Sequence, residues 1–142
     1  MNISLIILFF YLVLCSYTDI KKRCIFIKPT ITITIAIIIL QLANNIIVDN
    51  NLISFITSFI PGIILLLLSF FTRESIGYGD SILLTLCSIC VGIWNGLFII
   101  MCSFIFSALF SLFLLIKGKA RNETIPFIPF IFLSVVTYLF IF

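Results

Sequence analysis

Apolar residues fall into six blocks along the chain, near 3 to 18, 30 to 48, 52 to 71, 80 to 93, 96 to 116 and 126 to 142, and the charged residues gather at the breaks. The blocks are continuously apolar and lack the period-two alternation of a barrel strand, so each predicts a helix. A helix crosses the hydrocarbon with roughly 20 residues, about 17 to 25 being usual. Six tightly joined spans therefore fit, with the fourth looking short. In lipid every backbone polar group must be satisfied internally, which leaves helices as the only spanning element for such blocks. The pattern predicts an all-α, polytopic integral membrane protein, a bundle of about six transmembrane helices. With no linker, low-complexity segment or internal repeat in view, residues 1–142 are expected to form a single domain.

Composition sharpens this. Of 142 residues 63% are hydrophobic and 9% charged, more apolar surface than one small soluble core can hide. The net charge of +3 does not indicate nucleic acid, because the basic residues are scattered and form no clustered face. They carry topology instead. Lys21, Lys22, Arg23 and Lys28 follow the first block, Arg73 the third, and Lys117, Lys119 and Arg121 the fifth, which accounts for all eight. The breaks from Asn44 to Asn51 and from Gly92 to Gly96 hold none. Loops rich in Lys and Arg stay in the cytoplasm, so both termini are expected outside and the chain in the inner (cytoplasmic) membrane. The first block has no basic residue before it and no small-residue cleavage site after it, and is expected to be retained as the first span.

Five acidic residues remain to be placed: Asp19, Asp49, Glu74, Asp80 and Glu123. Asp49, among asparagines, reads as a solvated turn residue, and Glu123, near Lys119 and Arg121, as a surface charge. Glu74, three residues before Gly77, is a candidate for shaping a site. Asp19 ends the first block and Asp80 opens the fourth, so alternating spans bring both carboxylates to one membrane boundary. An ionisable group at that depth is costly and usually marks function. The bland account is that each merely ends a helix. It suits Asp80, whose charge favours a helix N-terminus, and suits Asp19 less, since a C-terminus disfavours an anion.

Two carboxylates in close approach share one proton, giving one base and one acid. The base would take a proton from water attacking a peptide carbonyl, and the acid would polarise that carbonyl and supply the leaving amine. Which aspartate plays which part stays open. Gly77 and Gly79, on either side of Tyr78, admit positive φ and close approach of a substrate backbone, although a Gly-x-Gly-Asp string alone is common in loops. The absence of histidine excludes Ser-His-Asp and Cys-His chemistry. A Ser16–Lys21 dyad is formally available, but orientation already explains the lysine. Cys87 and Cys90 read as buried apolar cysteines, because Cys15, Cys24 and Cys102 do not offer an obvious further pair of zinc ligands.

Three stretches, Asp19-Ile20-Lys21-Lys22-Arg23-Cys24-Ile25, Gly77-Tyr78-Gly79-Asp80-Ser81-Ile82-Leu83-Leu84 and Ile125-Pro126-Phe127-Ile128-Pro129-Phe130, resemble in order and topological position the motifs of the type IV prepilin peptidase family. These are membrane aspartic proteases of the Gly-x-Gly-Asp kind, and the resemblance covers nearly the whole chain. It implies that Asp19 and Asp80 are the catalytic pair and that Gly77, Tyr78, Gly79, Pro126, Phe127 and Pro129 bind substrate or shape the site. It also implies prepilin or pseudopilin substrates, cut after a short basic leader at the cytoplasmic face, with membrane lipid as the surroundings and no nucleic acid as partner. The chain departs from the pattern at Phe26, where proline usually follows isoleucine, and at Ser81 and Ile82, where a lysine often stands. It also resembles a short form, without the N-terminal Cys-x-x-Cys insertion and attached methyltransferase activity of larger members, so no metal, no cofactor and no methylation are expected. Whether the enzyme forms a homo-oligomer is left open. The alternative is a non-enzymatic membrane subunit of a pilus assembly or secretion apparatus, or a small proton-coupled carrier, since paired intramembrane carboxylates also relay protons.

Overall fold

The computed structural model describes residues 3–22, 27–44, 52–71, 77–117 and 126–141. These form helices α1 (Ile3–Lys22), α2 (Ile27–Asn44), α3 (Leu52–Thr57), α4 (Ile60–Phe71), α5 (Tyr78–Val91), α6 (Ile93–Ile116) and α7 (Ile128–Ile141). A turn at residues 58 and 59 separates α3 from α4, but the two make one apolar rod over Ile53–Phe71, so six rods stand where six spans are expected. Ser4–Lys21, Ile53–Phe71 and Ile93–Ile116 are long and apolar enough to cross a membrane. The apolar lengths Thr30–Ala43, Tyr78–Val91 and Ile128–Ile141 are shorter. The architecture is an all-α bundle of membrane type.

Among the boundaries that differ from the sequence pattern, two bear on the site and its axis. The first helix runs past residue 18 to Lys22, carrying Asp19 inside its last turns. The loop expected from Gly92 to Gly96 shrinks to Gly92 alone, because α6 already begins at Ile93. Gly92 has φ 88° and ψ 168°, a region open in practice only to glycine, and it turns the chain without a loop. Its N–H closes α5 on the Ser88 carbonyl at 2.9 Å, and its own carbonyl accepts the Gly96 N–H at 2.8 Å to open α6.

Helix α5 is the axis of the bundle, packed by α1, α2, α4, α6 and α7. Leu83, Leu84, Leu86 and Cys87 on it are fully buried, whereas Phe10, Leu14, Phe70, Phe71 and Phe140 on the surrounding helices are largely exposed, as suits a lipid-facing shell. Hydrophobicity cannot drive such helices together within lipid, so close backbone approach at small residues does. Gly62 of α4 lies against the Thr85 side chain, and Gly96 of α6 against Ser88, where an added Cβ would come within 2.7 Å of the Ser88 Cα. One polar side chain ties α2 to the axis: Gln41 Nε2 donates to the carbonyls of Ile89 and Cys90, both at 3.1 Å. Those carbonyls lie in the last turn of α5, where backbone acceptors lose their intrahelical partners.

Helix direction fixes what meets at each end. Tyr11 in the middle of α1 donates to Thr30 near the start of α2 (2.7 Å), and Asn95 at the start of α6 donates to Tyr138 in the last turns of α7 (3.2 Å). The ends of α1, α4 and α6 therefore share one side with the beginnings of α2, α5 and α7. With 14 residues each, α5 and α7 rise only about 21 Å at roughly 1.5 Å per residue, short of a hydrocarbon core of about 30 Å.

Candidate active site

Asp19 belongs to the buried stripe of α1. Leu8, Tyr11, Leu12, Cys15 and Asp19 recur at helical spacing and all are buried, Asp19 being 8% exposed. The carboxylate is thus turned into the bundle, and its partner is backbone. The Ile128 N–H donates to Asp19 Oδ2 at 3.2 Å. Asp19 lies near the C-terminus of its own helix, as expected, but its charge serves the N-terminus of another. The capping role that the sequence argument denied it is filled across the bundle, because an anion is favoured where α7 exposes its unpaired N–H groups.

Asp80 is the third residue of α5. The N-cap is Gly77, with φ −60° and ψ 135°, and no side chain bonds to the helix opening there. The positive φ that the glycines flanking Tyr78 would admit is not used at Gly77, and Gly79 lies within the helix. Gly77 matters for space instead: a Cβ on it would stand 3.2 Å from Asp80 Oδ2, so the missing side chain makes room for the carboxylate to fold back over the helix start. Ser81 closes this turn on the Gly77 carbonyl through its N–H (3.1 Å) and its hydroxyl (3.3 Å). Tyr78 is exposed, while Gly79 and Asp80 are half-buried. The two carboxylates lie near enough for their charges to act on each other.

The third motif lies beside them. Pro126 and Phe127 precede α7, and Pro129 is its second residue, so Pro126 stands before the first turn that the sequence assigned it. Phe127 stacks on Phe104 of α6 with ring centroids 5.5 Å apart, and Phe130 on Phe110 at 5.3 Å. Ile128 is buried at 1% exposure. Cations lie at the same end: Lys21 Nζ sits 5.8 Å from the Tyr17 ring and Lys117 Nζ 4.5 Å from the Phe113 ring. Among the described side chains no lysine forms an ion pair with Asp19 or Asp80.

Every candidate named from the sequence except Glu74 is thus gathered at one end of the bundle. Glu74, Asp49, Glu123 and Cys24 lie outside the described residues. Cys87 and Cys90 are buried free thiols on α5, toward its far end. Sequence reasoning missed three contributors. The Ile128 amide is a backbone group and leaves no side-chain signature. Tyr11 and Cys15, four residues apart and continuing to Asp19, form a polar line along α1 that the spacing alone would have revealed.

The sequence profile of the Type IV leader peptidase family matches residues 6–116, most of the chain, and the protein belongs to that family. No individual curated protein and no solved structure matches it. Membership makes this a multi-pass membrane protein of a peptidase family with prepilin-type substrates. The matched stretch contains both aspartates and ends before α7.

Proposed function

We propose that this family member is an aspartic endopeptidase in which Asp19 and Asp80 act as one acid–base pair, removing the short basic leader from prepilins or pseudopilins at the cytoplasmic face. The observation that carries the reading is the convergence of two carboxylates, from the end of α1 and the start of α5, on one end of the bundle, with Asp19 buried there against the start of α7. Neither is neutralised by a described lysine, so the pair can relieve its repulsion by sharing one proton.

Hydrolysis then proceeds with proton balance. The ionised member takes a proton from the attacking water, and the protonated member hydrogen-bonds the scissile carbonyl as its oxygen gains charge. Collapse of the tetrahedral intermediate breaks the C–N bond as a proton passes to the leaving amine, and the pair ends with one shared proton as it began. The space over Gly77 lets the Asp80 carboxylate reach its position, and exposed Tyr78 stands at the entrance as a substrate contact. Lys21 and Lys117 lie at this end, which supports a cytoplasmic site under the positive-inside rule, with both termini outside. The whole chain acts as one membrane-embedded domain.

The test is cleavage in liposomes of a prepilin carrying a cationic leader, a glycine before the cut and an apolar helix after it. Wild type is expected to cut after the glycine, and Asp19→Asn and Asp80→Asn to stay folded by circular dichroism and cut at least 1,000-fold more slowly. Turnover by either folded variant at the wild-type rate overturns the pair.

A further inference from the structure

The opening turn of α7 holds its backbone donors in an unusual distribution. An α-helix begins with four N–H groups that lack intrahelical partners. In α7 the second position is Pro129, which has no N–H, and Phe130 and Ile131 both turn back on the Phe127 carbonyl, at 3.0 and 3.3 Å. Pro126, just outside, has none to give either. Of the amides left over, that of Ile128 is directed to the Asp19 carboxylate. The turn is itself clamped by the Phe127–Phe104 and Phe130–Phe110 ring contacts and by the buried Ile128 side chain.

We infer that this turn is the positioning element of the protease site: Pro126 and Pro129 strip it of competing donors, and the Ile128 amide fixes the orientation of the Asp19 carboxylate. The inference rests on the acid–base reading of Asp19 and Asp80 and goes beyond it, because it assigns a role to a segment outside the stretch that the family profile matches. The Ile128 N–H is held by Oδ2, which leaves Oδ1 without a hydrogen bond from a described residue. A carboxylate held by an amide at a helix N-terminus suits the proton-accepting half of the reaction. Asp80 accepts no hydrogen bond from a described residue, which leaves it the freer partner to hold and deliver the shared proton.

The experiment removes the donor and keeps the helix. Proline is well tolerated at the first helical position, so Ile128→Pro deletes the N–H with little cost to α7, and Ile128→Ala supplies the reference for losing the side chain alone. In the liposome assay Ile128→Pro is expected to lower kcat about 10- to 100-fold below Ile128→Ala, with KM within about twofold, since loss of an orienting hydrogen bond slows chemistry more than binding. Equal kcat for the two variants overturns the inference. If Ile128→Pro fails to fold, replacing Ile128 by its α-hydroxy acid exchanges the amide for an ester and retains the side chain. Wild-type kcat in that ester variant overturns the inference, and a 10- to 100-fold loss upholds it. Full activity of Asp19→Asn marks failure of the underlying pair instead.

Discussion

Substituting Gly92 by alanine isolates backbone strain in a way few membrane glycines allow. A Cβ built at residue 92 meets no heavy atom within 4 Å, so the substitution creates no clash and buries nothing. What remains is conformation. At φ 88° and ψ 168° a residue with a side chain is strained by about 1 to 3 kcal/mol, while reduced freedom of the unfolded chain returns about 0.4 to 1 kcal/mol only where the native angles are compatible, as they are not here. The expected loss is therefore about 1 to 3 kcal/mol. It falls on a joint whose amide closes α5 and whose carbonyl opens α6. Equilibrium unfolding in mixed micelles, followed by circular dichroism against rising SDS fraction, measures it. Gly92→Asn adds the decisive comparison. Asparagine tolerates the left-handed helical region but gains nothing at ψ near 168°, so it should destabilise as much as alanine. Wild-type stability in Gly92→Ala would refute the strain argument, and rescue by asparagine alone would show a left-handed helix cap in place of the extended turn.

Three further outcomes follow from the packing and the site. Gln41→Leu leaves the Ile89 and Cys90 carbonyls without that donor and should cost about 1 to 2 kcal/mol in the same unfolding assay, because buried acceptors stripped of a partner carry a desolvation penalty. Gly96→Ala drives a Cβ toward the Ser88 backbone and should cost about 1 to 3 kcal/mol, with Ser88→Gly recovering part of the loss by shortening the opposing side chain. Asp80→Asn should abolish leader cleavage and yet raise the SDS midpoint, since it removes a partly buried carboxyl that must either carry a charge beside Asp19 or hold a proton.

Much of this fold was legible because lipid permits so little else. Block lengths, the absence of alternation and the placement of eight basic residues suffice for six helical rods and their directions. Direction alone then puts Asp19, Asp80 and Pro126 at one end. The sequence could not show that α1 continues through Asp19 to Lys22, because helical continuation past a charged residue depends on what receives the charge. Here the receiver is a backbone amide more than 100 residues downstream. Gly77 was legible as necessary and misleading as to cause: the string suggests φ freedom, whereas the structure uses the absent side chain as room for Asp80.

Burial and site chemistry are linked at those positions. Asp19 and Ile128 are buried and Asp80 half-buried, so the donors and charges at this end of the bundle find partners inside the protein. The Ile128 amide finds Asp19, and two prolines reduce the number of donors that a single carboxylate has to satisfy. Asp80 finds space above Gly77 and a like-charged neighbour. A polar cluster assembled by such necessity is only partly satisfied, a state that costs stability and leaves a carboxylate pair free to exchange a proton with a bound substrate.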